Sequence, residues 1–498
     1  MTEKRQRYLE RRTKKEKAYK ETINARETAN RKSDLEDIAE EIGERETKIE
    51  AAMVAYRNML PMVVARLQKI KDYRNPLKLK HKLSVLMAYG ILMFVFRIGS
   101  RRECNRILTK PIFFKNLKML FPEIESMPHA DTLYRLLENI DVSQIENTLI
   151  ELFRKFIRNK KFKNFLFNGR YLFAIDGTQK HVSDTQWDEK WLKKTFNKST
   201  DKEKVKYSVY VLECVFVLDN GITLPLYSEF LDNEDYIEGE NKQDSELKAF
   251  YRLAKRIKKD FPKLKISLTL DGIFANGQVI QMLRQYKWDF MIAFKRGSIP
   301  TLFDEAEELM HIEVEDNNNT VECEWGNQEQ IIMWINDVEY ICSDKKKKAV
   351  KVHVVKCIEK GFKEERNTGE IKETVTKYVW ISDKKLTSKN VLKRANFMGR
   401  YRWCIENNFL VLKTSAYGYE HFYAFSWNAM KGYHYLLNIG RFFNVIMIIS
   451  EKAFDIWIEN QSITSFISDI KELLAAQVVE EAVAKKVVKK RRLKLIAI

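Results

Sequence analysis

The spacing of apolar residues changes along the chain, and each change predicts a different kind of structure. Between residues 61 and 165, apolar positions recur with helical spacing, as in MVVARLQKI and IENTLIELFRKFI, which predicts a series of amphipathic helices. From residue 170, short apolar runs such as YLFAI and alternating runs such as YSVYVLECVFVL predict β-strands. Helical spacing returns between residues 388 and 449. The pattern therefore predicts an all-α N-terminal region followed by a mixed α/β region.

The strands of the α/β region are predicted to form one mixed sheet. Two β-rich runs flank Asp219-Asn220-Gly221, which is typical of a hairpin turn, so the early strands are expected to be antiparallel. Strand and helix patterns then alternate through ISLTLD, NGQVIQMLRQY and DFMIAFKRG, which favours an α/β fold. Residues 310–385 again alternate like strands with no strong helix between them. They predict a β-rich insertion in the α/β domain.

Both ends of the chain are strongly charged. The charge of residues 1–60 predicts a helical or partly disordered arm. Three alternatives are open for this arm: a solvated helix, a coiled-coil arm or a basic segment that orders on DNA. Residues 451–498 predict a C-terminal helical region with the basic tail AKKVVKKRRLKL. Four regions are predicted between these ends. They are a helical DNA-binding region over 61–168, the first part of the α/β domain over 169–309, the β-rich insertion over 310–385 and the second part of the α/β domain over 386–450.

Composition favours a globular protein with a polyanionic partner. Hydrophobic residues make up 45% of the chain and charged residues 32%, which excludes a wholly disordered protein. The formal charge of +19 favours nucleic acid, with an anionic membrane second. The longest apolar run, Leu83 to Phe96, is shorter than the ~20 residues that a bilayer requires, so we expect a cytoplasmic protein without membrane contact. The six cysteines contain no C-x-x-C pair, which argues against a zinc site or disulfide framework.

Two predicted strands end in the same dipeptide. YLFAI is followed by Asp176-Gly177, and ISLTL is followed by Asp271-Gly272. Ligands of α/β sheets bind at the C-terminal ends of strands, so an aspartate there is a candidate site residue. The glycine allows a sharp turn and leaves room for a close substrate. Asp-Gly is also an ordinary turn dipeptide, so for either aspartate alone a turn is the better explanation. Finding both aspartates on strands of one sheet makes a functional site as good an explanation as a turn.

The stretch YRWCIENNFLVLK, residues 401–413, predicts a helix with charges on its packing face. At about 100° per residue, Arg402, Glu406 and Lys413 fall within about 40° of one another. A solvated ion-pair stripe would instead lie opposite the apolar arc. We interpret the stripe as a polar slot in a packed surface, and the alternative is a structural i,i+4 ion pair between Arg402 and Glu406. Apolar residues are predicted to flank the stripe on both sides: Ile405, Phe409 and Leu412 on one, Trp403 and Leu410 on the other.

Three carboxylates, on Asp176, Asp271 and Glu406, suit two-metal phosphoryl transfer. Two Mg²⁺ ions ~3.5–4 Å apart are held by shared carboxylate oxygens, water and substrate phosphates, and Mn²⁺ is expected to substitute. One ion activates the attacking water or 3′-hydroxyl, and the other stabilises the leaving oxygen. Arg402 and Lys413 are candidates for DNA phosphate contacts. Trp403 borders the slot and is a candidate for stacking on an unpaired base, with core packing as the alternative.

With these residues the chain resembles DDE transposases of the insertion-sequence-4 group of bacterial and archaeal mobile elements. The signature of that group is Tyr, two residues, Arg, three residues, Glu, six residues, Lys. Arg402, Glu406 and Lys413 match it, whereas Gly399 stands at the tyrosine position. The resemblance implies a ribonuclease-H-like mixed sheet with a β-rich insertion between the second and third carboxylates. It also implies that Asp176, Asp271 and Glu406 are the catalytic, metal-binding triad.

The resemblance further implies a function. Transposases of this group cleave the ends of a mobile element and join the 3′-hydroxyl to target DNA. They usually act as homodimers on paired double-stranded DNA ends, in the prokaryotic cytoplasm at the nucleoid. Two alternatives remain open: a ribonuclease-H-like nuclease that only hydrolyses DNA, and a catalytically inactive DNA-binding protein derived from a transposase.

Overall fold

A computed structural model describes most of the chain. It covers Gln6, Glu10, Thr13 and residues 35–197, 200, 203–234, 236–237, 242–317, 319–326, 328–341, 349–364, 371–415, 417–454, 463–489 and 491–497. About half of the predicted N-terminal arm, residues 1–60, therefore lies outside the described residues.

The N-terminal region is helical, as predicted. Its helices are α1 Ile38–Leu67, α2 Leu83–Val95, α3 Arg101–Leu108, α4 Pro111–Leu120, α5 Ala130–Asn139 and α6 Ser143–Arg158. Helix α2 has no charged residue and is buried along nearly its whole length, because other helices surround it. Within the described residues, none of the helices combines the length and apolar character that crossing a membrane requires.

The central part of the chain forms one mixed sheet. Its strands are β1 Tyr171–Ser183, β2 Leu192–Phe196, β3 Lys204–Val217, β4 Thr223–Leu231, β5 Ile266–Leu270, β6 Asp289–Ala293, β7 Thr320–Trp325, β8 Gln328–Ile341, β9 Ala349–Glu364 and β10 Ile371–Ser382. Their order is β2-β3-β1-β5-β6-β10-β9-β8-β7, with β4 paired to β3. Strands β1, β5 and β6 are parallel, and the hairpin β3–β4 is antiparallel. The prediction of a mixed α/β sheet after a helical region is confirmed.

The β-rich stretch continues the central sheet, because β10 pairs antiparallel with β6. The intervening helices are α7 Glu246–Asp260, α8 Gly277–Gln285 and α9 Pro300–Asn317. Helix α9 spans residue 310, so the expected start of the insertion falls inside a helix. Because this helix is only weakly amphipathic, its sequence does not stand out from the strands that follow.

Helices complete the fold after the last strand. They are α10 Val391–Arg394, α11 Trp403–Thr414, α12 Trp427–Ile448, α13 Ile463–Ala476 and α14 Glu481–Val488. A π-helical turn, Ala395–Gly399, and a 3₁₀ turn, Arg400–Arg402, link α10 to α11. The C-terminal helices pack back on the N-terminal ones. The buried Asn116 side chain of α4 donates hydrogen bonds to the carbonyl oxygens of Leu474 and Gln477, at 2.9 and 2.8 Å.

Strand β1 does not end at Asp176, so that prediction is wrong. Its parallel pairing with β5 ends at Ile175, but its antiparallel pairing with β3 continues to Ser183. The polar residues after Asp176 hide this half of the strand from a search for apolar runs. Gly177 pairs with Leu212 of β3 inside the strand and has no left-handed backbone angle, so it does not serve a turn.

Candidate active site

The two aspartates lie side by side at the end of the parallel pairing. Ile175 of β1 is the register partner of Leu270 of β5, and each aspartate is the next residue. Asp271 then begins a short 3₁₀ turn, Gly272–Phe274. Although β1 continues, Asp176 therefore still lies at the sheet edge where α/β folds place ligands.

One guanidinium group connects all three predicted carboxylates. Arg402 Nη1 lies 3.1 Å from Asp176 Oδ2 and 2.7 Å from Glu406 Oε1, and Arg402 Nε lies 3.8 Å from Asp271 Oδ1. The i,i+4 pair between Arg402 and Glu406 is thus present, but the same arginine also binds both strand aspartates. Side chains from three separate stretches of the chain meet at one point.

Helix α11 packs with only one of its two apolar flanks. Ile405, Phe409 and Leu412 are buried, whereas the Trp403 and Leu410 residues are 43% and 60% exposed. The prediction that the charges lie in the middle of the packing face, with both apolar flanks packed, is therefore wrong. Helical spacing alone does not reveal how much of a helix its neighbours cover.

Other charged and aromatic candidates lie near this cluster. Lys413 Nζ is 3.2 Å from the carbonyl oxygen of Gln179 on β1 and 3.0 Å from a carboxylate oxygen of Glu420. The exposed ring of Trp403 contacts that of Tyr378 edge-on, at 5.5 Å between centroids. Trp403 is thus accessible to a ligand, whereas Lys413 is already paired with a carboxylate.

The carboxylate cluster carries excess negative charge. Burial raises the pKa of Asp176 to about 6, the negative charges of Asp271 and Glu406 act in the same direction, and Arg402 opposes them. The Asp176 side chain also accepts a hydrogen bond from the backbone N–H of Gly177, at 2.9 Å. One arginine against three carboxylates leaves a site that attracts cations.

The cluster offers oxygen atoms of the type that a hard divalent cation prefers, although they are not arranged as a metal site. Within the described residues, no group of three or more His, Cys, Asp or Glu side chains is arranged to hold one metal ion. The carboxylates instead face Arg402, and the bound oxygens of Asp176 and Glu406 share its Nη1 atom. Mg²⁺ is commonly bound through one or two carboxylates together with water and substrate phosphates. The neighbouring carboxylate oxygens of Asp176 and Glu406 are ligands of the type that Mg²⁺ prefers.

The structure explains the glycine at the signature tyrosine position. A Cβ atom on Gly399 would lie 2.8 Å from the indole ring of Trp380, so a larger side chain does not fit. Tyr401 lies two residues further on, and its hydroxyl donates a hydrogen bond to the carbonyl oxygen of Asp219 in the β3–β4 turn, at 2.7 Å. Tyr401 therefore connects the turn that precedes α11 to the β3–β4 hairpin.

The sequence pattern does not indicate two residues that lie near the site, Tyr210 and Glu246. A Cβ on Gly177 would lie 2.6 Å from the Tyr210 ring and 2.8 Å from the Glu246 carboxyl group, so both side chains press against β1 beside Asp176. Burial raises the pKa of Glu246 and the charge of Asp271 adds to this effect, while a hydrogen bond with Tyr210 opposes it. Glu246 begins an ordinary amphipathic helix, and only the packing of α7 brings it here.

A known family model matches part of the helical region, and a solved structure is weakly similar over most of the chain. No curated protein matches the chain. A cryo-EM structure described as the piggyBac transposase synaptic complex with hairpin DNA is similar at 11% identity, over 88% of this chain and 80% of that chain, with a TM-score of 0.34. This TM-score is too low to establish a shared fold. Residues 64–153, within the helical region, match the family model described as DDE_Tnp_1-associated.

Proposed function

We propose that the chain is a DDE transposase of the insertion-sequence-4 group, which cleaves the ends of a mobile element and joins the 3′-hydroxyl to target DNA. The observation that carries this proposal is the meeting of Asp176, Asp271 and Glu406 on Arg402. The transposase-associated match of residues 64–153 supports it independently, because that match does not include the site.

The fold around the cluster supports a ribonuclease-H-like catalytic domain. An antiparallel hairpin, β3–β4, lies beside the parallel strands β1, β5 and β6, and a helix brings the third carboxylate to their C-terminal edge. The β-rich stretch between Asp271 and Glu406 corresponds to the expected insertion. In the proposed assembly, two copies act on paired double-stranded DNA ends.

Each side chain of the cluster has a distinct task in the proposed mechanism. Asp176, Asp271 and Glu406 would hold Mg²⁺ or Mn²⁺, which when bound supplies activation of the attacking oxygen and stabilisation of the leaving oxygen. Arg402 holds the carboxylates together against their mutual repulsion. Its planar fork also suits the non-bridging oxygens of a phosphodiester. Trp403 offers an exposed ring for an unpaired base beside the site.

A plasmid that carries the coding region with its natural flanking DNA provides the test. We expect the purified protein to cleave the flanks and join the freed 3′-hydroxyl to a second plasmid when Mg²⁺ or Mn²⁺ is present. Asp176→Asn, Asp271→Asn and Glu406→Gln should each reduce cleavage by at least about 10³-fold and leave DNA binding largely intact. Glu481→Gln, an exposed carboxylate of α14, is the control.

The two alternatives give different results in the same assay. Cleavage without joining would indicate a hydrolytic nuclease. DNA binding without cleavage in either metal would indicate an inactive derivative. Metal-dependent cleavage that survives any of the three substitutions would refute the triad.

A further inference from the structure

Two buried arginines lie over one tyrosine ring, away from the carboxylate cluster. The guanidinium carbons of Arg97 and Arg441 are 5.1 and 5.7 Å from the centre of the Tyr417 ring. Both arginines are only 5% exposed. Arg97 follows α2 in the left-handed conformation, with φ of 53°, at a position that usually holds glycine. Arg441 lies on α12, and Tyr417 follows α11 by three residues.

The positive charges of these arginines are not balanced by acidic groups. In the described part of the chain, neither Arg97 nor Arg441 forms an ion pair with a carboxylate, and four of their nitrogens are buried without a hydrogen-bond partner. These nitrogens are Nε and Nη2 of Arg97 and Nε and Nη1 of Arg441. Burial lowers the pKa of Arg97, and the like charge of Arg441 acts in the same direction while Tyr417 opposes it. Arginine nevertheless stays charged in proteins.

The nearby polar side chains are already engaged with one another. Asn444 donates hydrogen bonds to the Tyr417 hydroxyl, at 2.9 Å, and to the carbonyl oxygen of Val95, at 3.1 Å. Its own side-chain oxygen accepts a hydrogen bond from Tyr56, at 2.9 Å. The tyrosine face attracts a guanidinium cation but provides no acceptor for its in-plane N–H groups. A buried charge without such an acceptor is strongly unfavourable.

We propose that Arg97, Arg441 and Tyr417 form an anion site that binds a tetrahedral oxyanion, namely a phosphate group. Nε and Nη2 are the two nitrogens on one edge of the Arg97 guanidinium, the fork that binds two phosphate oxygens side by side. The oxygens of one phosphate provide enough acceptors for the unpartnered nitrogens of both arginines. The phosphate belongs either to the DNA backbone or to a free inorganic ion.

The position of the site gives such an anion a structural consequence. A Cβ on Gly418 would lie 2.8 Å from the carbonyl oxygen of Gly99, so the segment after α11 packs directly on the α2–α3 connection. An anion shared by Arg97 and Arg441 would tie α2 and α12 together beside this contact. It would thereby fix the C-terminal end of the helix that carries Glu406.

Thermal unfolding of the full chain in inorganic phosphate tests the site. We expect a saturable rise in Tm of about 3 °C over sodium chloride at equal ionic strength. Arg97→Gln and Arg441→Gln should each abolish this rise. Arg102→Gln should retain it, because Arg102 is an exposed arginine of the neighbouring helix α3. The absence of a saturable rise in the unsubstituted protein would overturn the proposal without reference to any variant, as would a rise that persists in both buried variants.

A second measurement distinguishes the two sources of phosphate. Binding of a fluorescent 20-base-pair duplex is measured by anisotropy for the unsubstituted protein and the same variants. If the DNA backbone fills the site, Arg97→Gln weakens duplex binding about tenfold more than Arg102→Gln does, as expected for a lost buried contact rather than a surface one. If a free ion fills it, the two variants bind the duplex equally and only the phosphate-dependent rise in Tm is lost. Neither measurement requires strand cleavage, so the anion site stands or fails separately from the proposed transposase activity.

Discussion

Two clusters of ionisable side chains lie next to each other on the sheet and differ in how their charge is balanced. Asp176 of β1 and Glu213 of β3 are register partners, so their side chains lie on the same face. Asp176 belongs to the cluster around Arg402, where the Glu406 side chain is 52% exposed. Glu213 is buried and contacts three partners: Ser228 Oγ at 2.7 Å, Tyr419 Oη at 2.9 Å and His434 Nε2 at 3.1 Å.

The pKa values of the two carboxyl groups shift in opposite directions. Burial raises the pKa of Asp176 to about 6. Burial acts in the same direction on Glu213, but its hydrogen-bonded neighbours hold the pKa of this carboxyl below its ordinary value. By residue type, Ser228, His434 and Glu213 match a hydrolase triad, yet the His434 side chain is 0% exposed, so no substrate reaches it. Access and unbalanced charge, rather than residue type, distinguish the candidate site from the structural network.

Breaking the closed network should have the largest effect on stability. Glu213→Ala removes the acceptor for Ser228 and Tyr419 and the main charge that compensates the buried Lys180 ammonium. We expect a loss of about 3–5 kcal/mol in the free energy of unfolding, measured by urea denaturation. Glu373→Ala, at an exposed position on β10, should cost less than about 0.5 kcal/mol. Equal effects of the two substitutions would remove the distinction between the clusters.

Neutralising the open cluster should instead stabilise the metal-free protein. Asp176 has a folded pKa of about 6 against an ordinary value of 3.8, so between these values the folded state binds the extra proton and stability falls as pH rises. In EDTA, Asp176→Asn should therefore gain up to about 3 kcal/mol above pH 6 and nothing below pH 4. Urea denaturation at pH 4 and pH 7 measures this difference. An equal gain in the free energy of unfolding at pH 4 and pH 7 would contradict the raised pKa of Asp176.

Replacing the glycine of each Asp-Gly step provides a matched comparison, with an expected effect on stability of intermediate size. A Cβ at Gly177 would meet Tyr210 at 2.6 Å, whereas the nearest atom to a Cβ at Gly272 is the Ala293 carbonyl oxygen at 3.3 Å. Gly177→Ala should cost about 1–3 kcal/mol through overpacking, and Gly272→Ala clearly less. Thermal unfolding of both variants provides the comparison. If Gly272→Ala proves the more costly, close packing does not explain Gly177.

The smallest expected effect concerns Lys413 at the rim of the open cluster. If Lys413 contacts a DNA phosphate, Lys413→Ala should reduce the slope of log affinity against log salt by up to about 1. Glu420→Gln removes the partner 3.0 Å away and should act in the opposite direction, since it frees the lysine for DNA. Anisotropy titrations of a duplex over a series of salt concentrations measure both slopes. An unchanged slope in Lys413→Ala would exclude the phosphate contact.

Much of the architecture was accessible from local pattern. The hairpin at Asp219-Asn220-Gly221 forms, and Gly221 has φ of +81°, as that turn chemistry predicts. The apolar runs before Asp176 and Asp271 become adjacent parallel strands. The polar second half of β1 could not be predicted from the sequence, because pairing with β3, rather than its own composition, makes it a strand. Glu246 was missed for a similar reason, since its place beside Gly177 depends on how α7 packs.

The sequence by itself determined which residues are candidates for the site, and the tertiary structure decided which of them lie together and how they act on one another. The apolar runs and the helical spacing of Arg402 and Glu406 are short-range properties, so the backbone preferences of a few residues are enough to express them. The contacts of Arg402 with Asp176 and Asp271, the burial that raises the pKa of Asp176 and the pairing of Lys413 with Glu420 all join distant parts of the chain. They exist only after helices and strands have packed, because burial and electrostatic interaction depend on distances in space rather than on positions along the sequence.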